Sequence, residues 1–165
     1  FGSNGTNFIH ARISGAWMKL VPFEPKHLEA VLVDELDNIQ ELVGISEKDF
    51  MQLTAERSLC MTALTNDDKV FMIAGVHPLW RGVFETWIHI TPEFYKNKIS
   101  AVKAIRQLLA QMKLTVGYNR IQADVRADLT KNIDFVKLFG FTFEGNMIKY
   151  GFNGETYLRF ALYGE

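Results

Sequence analysis

Runs of apolar residues with two different spacings divide the chain into strand-like and helical segments. The first strand-like run is Met18–Pro22, and Glu24-Pro25 then begins a helical pattern, because proline is favoured in the first turn of a helix. A second helix is predicted to start after Ser46 and to end near Ser58. This part of the chain therefore predicts one strand followed by two helices.

The middle of the chain favours antiparallel strands. Three strand-like runs follow one another and are joined by short polar turns: 59–64, 70–76 and 82–91. His77-Pro78 is expected to end the second run as part of a turn. The three runs predict an antiparallel meander.

The second half alternates between helix and strand. Its predicted elements are a helix over 99–116, a strand over 120–126, a helix over 130–139 and a closing hairpin of 141–150 with 156–162. The first of these helices is the clearest amphipathic segment of the chain, and Gly117 ends it. Asn153-Gly154 supplies a strong turn signal for the hairpin.

The order of elements, β-α-α-β-β-β-α-β-α-β-β, predicts an α/β fold of the α+β type, with helices on the faces of one mixed sheet. No internal repeat or linker divides the chain, so a single domain is predicted over residues 18–165. Residues 1–17 lack the charged start and apolar core of a signal peptide. We expect them to be a leader or an expression-derived segment.

Composition narrows the class of protein. The chain has 165 residues, of which 48% are hydrophobic and 22% charged, so collagen-like and disordered classes are excluded. No apolar stretch reaches the roughly 18 residues of a membrane-spanning helix. The single cysteine, Cys60, cannot form an internal disulfide or a cysteine metal cluster and is expected to be a small buried residue.

Charge is distributed unevenly along the chain. Residues 1–82 carry seven Lys or Arg against eleven Asp or Glu, a net charge of -4, whereas residues 83–165 carry eleven against eight, a net charge of +3. The basic residues concentrate over 95–123, and residues 95–101 of this window lie at the start of the predicted amphipathic helix. Backbone N–H groups at a helix start favour an anion, so residues 95–101 are a candidate anion site. A solvated basic helix face is the alternative.

At this point the sequence resembles the GCN5-related N-acetyltransferase (GNAT) superfamily. Residues 87–101, Trp-Ile-His-Ile-Thr-Pro-Glu-Phe-Tyr-Lys-Asn-Lys-Ile-Ser-Ala, are similar to that family's fourth strand and acyl-CoA pyrophosphate loop. Residues 120–125 with 132–141, which end in Gly-Phe, resemble its fifth strand and fourth helix, and the closing hairpin resembles its last two strands. The resemblance covers essentially residues 18–163.

Two departures from the family pattern concern activity. Ile99 stands where the phosphate loop has its first glycine, and Val136 stands where the family often has the tyrosine that protonates the CoA thiolate. The asparagine often found near the start of the fourth helix would fall at Leu129, with Asn132 one turn further on.

The phosphate loop that lacks its first glycine is similar to that of acetyltransferase-like proteins of tailed bacteriophages. A catalytically inactive structural or interaction protein, as in a phage particle, is therefore the alternative to an enzyme.

The resemblance implies an acyltransferase that moves an acetyl group from acetyl-CoA to an amine of a small molecule or protein. Acetyl-CoA would be a co-substrate, and no metal is expected. The backbone that begins at Ile88 would run beside the pantetheine, and the loop that ends at Ala101 would take the pyrophosphate. The cofactor-binding residues implied in this way are Ile88, Ile90, Thr91, Lys96, Asn97, Lys98, Ile99, Ser100, Ala101 and Asn132.

Three side chains are candidates for the base that accepts the proton of the amine. Glu85 is the first, His89 lies four residues on and hence on the same strand face, and Asp124 is on the next strand. Each has a structural alternative: a solvent-facing carboxylate for Glu85, a hydrogen-bonded structural histidine for His89, and a surface partner of an arginine for Asp124.

The expected partners are an acyl-CoA and an amine acceptor, with no membrane and, at a sequence pI near 6.5, no nucleic acid. Scattered acids, Asp34, Glu35, Asp37 and Glu41, would suit a cationic amine and would equally suit an exposed helix. The final strand is available to pair across a homodimer. A cytoplasmic location is expected, or the host cytoplasm or virion for a phage-encoded protein.

Overall fold

A seven-stranded mixed sheet with helices on both faces forms the protein in a computed structural model that describes residues 18–31, 49, 52, 53, 56–151 and 153–164. The strands are β1 (Met18–Pro22), β2 (Leu59–Thr65), β3 (Val70–Trp80), β4 (Val83–Ile90), β5 (Arg120–Arg126), β6 (Thr142–Met147) and β7 (Tyr157–Tyr163). The helices are a 3-10 helix (Pro25–Ala30), α1 (Pro92–Lys96), α2 (Lys98–Thr115) and α3 (Thr130–Leu138). The predicted mixed α/β architecture is confirmed.

The strands lie in the order β1-β2-β3-β4-β5-β7-β6. Every neighbouring pair is antiparallel except β4 and β5, which run parallel and are joined by the crossover that contains α1 and α2. β7 lies between β5 and β6, so the closing hairpin folds back onto the fifth strand. The one parallel junction is therefore in the middle of the sheet.

Two boundaries differ from the sequence predictions. β3 continues through His77 and Pro78 to Trp80 instead of ending at His77-Pro78. The ladder with β4 is irregular between Pro78 and Trp80, and a bulge tolerates the missing N–H of proline. The hairpin between β6 and β7 is also longer than predicted, since β6 ends at Met147 and residues 148–156 connect the strands.

Strand alternation gives the sheet two faces of different character. The helix face is apolar: Met72, Phe94 and Ala104 pack in one cluster, and Phe84, Ile121, Ala123, Val125 and Phe160 pack in a second. The opposite face, here called the polar face, carries Glu85, Gln122, Asp124 and Arg159 on its β4, β5 and β7 strands. The 3-10 helix covers its other end, where Leu28 and Val31 pack on Ile73.

The segment between β4 and β5 begins as two helices rather than one. Asn97 ends α1 and begins α2, and the N–H of Ala101 already bonds to the carbonyl of Asn97 at 3.0 Å. Gly117 follows α2 with φ +66°, a left-handed conformation that glycine adopts at low cost. The division of the segment at Asn97 places the start of α2 beside the end of β4.

At Gly75 the side chains of Cys60 on β2 and Trp87 on β4 leave no room for a side chain on β3. An added Cβ would lie 2.6 Å from the Trp87 ring and 2.7 Å from the Cβ of Cys60. We expect Gly75→Ala to lower the free energy of unfolding by about 1–3 kcal/mol through overpacking, as measured by urea denaturation. Gly145→Ala is the matched control, because its Cβ meets nothing within 4 Å. Equal stability of the two variants would contradict this packing.

Candidate active site

The parallel junction between β4 and β5 opens after three residue pairs. Val83 pairs with Arg120, Phe84 with Ile121 and Glu85 with Gln122, and no pairing follows although β4 runs on to Ile90 and β5 to Arg126. A cleft of about 1350 Å³ occupies this opening and is lined from both faces of the sheet. Glu85 and Gln122 thus mark the closed end of a gap that passes through the sheet.

The helix-face side of the cleft is an apolar groove between α2 and α3. Its walls are formed by Val102, Ile105, Leu109, Met112, Phe135 and Phe139. Ile88 and Ile90 of β4 face the same space. An extended ligand chain of low polarity fits such a groove, and the unpaired edge of β4 offers it backbone hydrogen bonds in the manner of an added strand.

The polar-face side is aromatic and holds a histidine. The indole N–H of Trp87 donates to the Ser58 hydroxyl at 3.0 Å, and its ring lies 5.4 Å from the His89 ring. Both line the cleft with Cys60. Burial raises the pKa of the Cys60 thiol to about 11, so the thiol is protonated at neutral pH and is a poor nucleophile.

His89 is a half-buried imidazole whose pKa lies well below the usual value for histidine. Burial lowers its pKa to about 4, because desolvation disfavours the imidazolium. It is therefore neutral at physiological pH. It can still donate or accept a hydrogen bond within the cleft.

Asp124 is committed to an ion pair. Its two carboxylate oxygens each accept a guanidinium N–H of Arg159 at 2.8 Å, and its side chain is 11% exposed. The geometry is the bidentate one in which arginine binds carboxylates most strongly. Burial, followed by the nearby Asp124 and Glu85 carboxylates, raises the pKa of Tyr150 from its ordinary value. The structure thus brings Asp124, Arg159 and Tyr150 together beside Glu85.

Glu85 has a different environment from Asp124. Its Oε1 accepts a hydrogen bond from the side-chain amide of Gln122 at 3.4 Å, and within the described part of the chain no cation lies within salt-bridge distance of it. His89 is on the same strand and the same face, as predicted, because Glu85 and His89 pair with His77 and Ile73 of β3 in unbroken alternation. The carboxylate therefore sits at the closed end of the gap with one neutral donor.

The implied cofactor residues fall into separate groups. Ile88, Ile90, Lys98 and Asn132 line the cleft. Lys96 forms an ion pair with Glu93 at 2.8 Å, and the Asn97 amide donates to the Glu93 carbonyl at 3.1 Å. Of Lys96, Asn97 and Lys98, only Lys98 lines the cleft. Its ammonium lies 5.7 Å from the Tyr95 ring centroid.

Thr91 and Ala101 are buried and do not line the cleft. Thr91 is buried and its hydroxyl donates to the Val70 carbonyl at 2.9 Å, which ties the end of β4 to β3. Ala101 is fully buried against the sheet. Ile99 is 75% exposed and lies on the outer surface of α2 with Lys103. Ser100 is half-buried and makes no contact with the cleft.

Sequence reasoning did not single out Gln122 or Phe135. A glutamine between Ile121 and Ala123 has the alternation of a solvent-facing strand position, yet Gln122 is only 7% exposed. Phe135 resembles an ordinary core residue of an amphipathic helix, and it is one, but it also walls the cleft. No local signal distinguishes either role.

In the part of the chain that the structure describes, no cluster of His, Cys, Asp or Glu has metal-binding geometry.

Comparison with proteins of known structure identifies the fold. A chimera of the spermidine N-acetyltransferase of Vibrio cholerae matches with a TM-score of 0.69 at 17% identity, over 88% of this chain and 95% of that one. Ard1 of Thermoplasma volcanium matches with a TM-score of 0.71 at 13% identity, over 90% and 98%. A GNAT-family acetyltransferase of Bacillus anthracis gives 0.66 at 16% identity, over 88% and 94%.

The chain therefore has the GNAT fold, and the predicted likeness to that superfamily is confirmed at the level of structure. No family model matches the sequence, and no curated protein matches it. No helix among the described residues is long and apolar enough to cross a membrane.

The charge state of His89 is open to direct measurement. We expect its imidazole to titrate near pH 4 in an NMR titration of the folded protein, against about 6.5 for an unfolded chain. Because the folded state resists protonation, this contribution to stability is present above pH 6.5 and is lost as the pH falls toward 4. His89→Gln should reduce that loss. A titration midpoint near 6.5 in the native protein would contradict the buried environment.

Proposed function

We propose that the protein is an acyl-CoA-dependent N-acetyltransferase. The observation that carries the proposal is the opening of the sheet after the Glu85–Gln122 pair, which connects an apolar groove on the helix face with the polar face, where His89 and Asp124 line the cleft. A thioester held in the groove would present its acetyl group at this opening. An amine that approaches from the polar face would meet it there.

The groove fits the parts of acetyl-CoA in sequence. The pantetheine arm would lie against Ile88 and Ile90, where the unpaired edge of β4 supplies backbone donors and acceptors. The pyrophosphate would lie at the start of α2, where the helix dipole and Lys98 favour negative charge. Acetyl-CoA is a co-substrate in this proposal and no metal takes part.

The chemistry requires the amine nitrogen to be unprotonated when it attacks. Its lone pair forms a C–N bond to the thioester carbonyl carbon, the C–S bond then breaks, and the electron pair leaves with the CoA sulfur as thiolate. The amine loses one proton, which Glu85 accepts directly or through a water molecule. Amide and thiol are the products once the thiolate is protonated.

Among the three candidate bases, the local environments favour Glu85. Asp124 has both oxygens engaged by Arg159, so protonating it would break a bidentate ion pair. The His89 imidazole has a pKa of about 4, no higher than that of an ordinary glutamate, and it lacks the negative charge with which a carboxylate attracts an ammonium group. Glu85 accepts one neutral amide donor and lies at the last pair before the gap opens. His89 instead suits a role as a hydrogen-bonding group toward the amine or a water molecule.

The second candidate function is a GNAT-fold protein without catalysis that serves as a structural or interaction protein. It is favoured by Val136, a partly buried residue that walls the cleft with no proton to donate. The expectations of a cytoplasmic or virion location, of a homodimer and of no nucleic-acid partner stay predictions. Binding of acetyl-CoA decides between the two functions.

Lys98 supplies a direct test of where acetyl-CoA binds. We expect isothermal titration to show micromolar binding to the native chain, weakened about fivefold to tenfold in Lys98→Ala through loss of one charge-assisted contact. Lys113→Ala, at the other end of α2, is the matched control and should bind normally. Absent binding by the native protein up to millimolar acetyl-CoA would overturn the enzyme proposal and favour the non-catalytic one.

Removing the proposed base tests the chemistry separately from binding. In Glu85→Gln we expect acetyl transfer to fall by about a hundredfold or more while acetyl-CoA affinity is retained, with thiol release as the measurement. The acceptor panel would include spermidine, which is named for one structural neighbour, and a peptide with an N-terminal alanine, chosen after a further structural match, the ribosomal-protein-S5-alanine acetyltransferase of Vibrio fischeri. A Glu85→Gln variant that transfers acetyl groups at the native rate would exclude this residue as the base.

A further inference from the structure

The Trp87 side chain crosses the sheet beside the opening between β4 and β5. Trp87 is two residues beyond Glu85, in the part of β4 that has no partner in β5. Its indole ring takes the space that a side chain at Gly75 of β3 would need, because an added Cβ there would lie 2.6 Å from Cζ2 and 2.8 Å from Cε2 of the ring. The ring therefore extends from β4 across β3 toward β2.

The indole is held in one orientation from its far end. Its N–H donates to the Ser58 hydroxyl at 3.0 Å, just before β2 begins. The ring also packs against the apolar cluster that Leu28 forms with Ile73. A tryptophan N–H has only one direction in which to donate, so the contact with Ser58 fixes the rotation of the ring. The aromatic surface beside the opening is therefore formed before any ligand arrives.

The groups beside the indole are uncharged at neutral pH. The His89 ring lies 5.4 Å from the indole and is tilted by 47° relative to it, and its imidazole is neutral. Cys60 lies on the other side of Gly75, and its thiol is protonated. Trp87, His89 and Cys60 all line the cleft and are here called the aromatic wall. The wall offers a ligand apolar and aromatic surface without charge.

The acids near the wall are neutralised or open to water. Among the described residues outside α3, the acids that line the cleft are Glu56 and Asp124. Asp124 is bound through both oxygens by Arg159. Glu56 is exposed and accepts a hydrogen bond from the Gln52 amide at 2.9 Å, and solvent and salt screen such a charge. A polyamine would thus place its further ammonium groups against a surface that does little to attract them.

We propose that the acceptor is a primary amine joined by a short carbon chain to an aromatic ring, and that Trp87 selects this class. The selection concerns the proposed acetyl transfer and rests on it, whereas binding of the amine to the aromatic wall does not require the transfer. A ring that packs on the indole loses its contact with water and gains an aromatic pair. Trp87 is about 7 Å along the strand from the last paired residue, so one small molecule can reach from the wall to the opening.

Binding is tested first, without acetyl transfer. In protein labelled with ¹⁵N at tryptophan, NMR follows the indole N–H of Trp87 during titration with phenethylamine, cyclohexylethylamine or spermidine. The resonance is the one absent in Trp87→Leu or, where that variant does not fold, the one displaced in Ser58→Ala, which loses the acceptor of this N–H. We expect phenethylamine to shift it at a concentration several-fold lower than the other two amines. The indole of Trp80, which is 66% exposed and outside the cleft, should not respond.

Acetyl transfer then tests the selection. In the native chain, kcat/KM should be higher for phenethylamine than for spermidine. Trp87→Leu should lower the ratio of these two values by about threefold to tenfold, since one aromatic pair is lost. Ser58→Ala, which keeps the ring and removes its anchor, should lower the ratio by less. Trp80→Leu is the matched control and should leave the ratio unchanged. A loss of folded protein would reduce transfer to both amines equally, so it would not alter the ratio.

The outcomes separate this selection from the proposed function. If no amine shifts the Trp87 resonance at millimolar concentration, or if spermidine binds and reacts better than phenethylamine, the selection by Trp87 is overturned. A ratio unchanged in every folded variant at positions 58 and 87 overturns it as well, while transfer to any amine leaves the proposed function standing. Phenethylamine that binds beside Trp87 in a protein that transfers no acetyl group supports the aromatic wall as an amine site and refutes the proposed function alone.

Discussion

The site depends on the interrupted pairing between β4 and β5. Backbone N–H and C=O groups in the middle of a sheet normally find partners on both sides, yet β4 beyond Glu85 has a partner only in β3. The gap persists because each strand is held on its outer side: β3 follows β4 to Ile90, and β7 pairs with all seven residues of β5. The unpaired edge is therefore a stable feature of the fold.

Charges near the gap are largely paired across the strands that hold it. Asp124 pairs with Arg159 between β5 and β7, and Arg120 pairs with Glu144 between β5 and β6. Because each arginine binds its carboxylate through two hydrogen bonds, these pairs fix their side chains. Glu85 is the acid beside them that has a neutral donor instead of a cation. The environment of Glu85 thus differs from that of Asp124 because of its neighbours and not because of its own residue type.

Sequence patterns predicted what local periodicity can encode. β5 was predicted with its observed bounds, because the apolar Ile121, Ala123 and Val125 alternate with polar residues. The insertion of β7 between β5 and β6 and the commitment of Asp124 to Arg159, 35 positions away, depend on tertiary packing and leave no local pattern. The gap between β4 and β5 could be predicted only from the family resemblance, because the sequence of residues 86–90 has the pattern of an ordinary paired strand.

The two departures from the family pattern bear less on activity than the sequence alone indicates. Ile99 is 75% exposed and points away from the cleft, so its side chain does not crowd the groove. Val136 cannot protonate the CoA thiolate, but an ordinary thiol has a pKa near 8.5. At about 1.4 kcal/mol per pKa unit, releasing such a thiolate at pH 7 without an acid costs only about 2 kcal/mol. Water entering the open groove can supply that proton after the C–S bond breaks, so the missing tyrosine does not by itself prevent acetyl transfer in a GNAT fold.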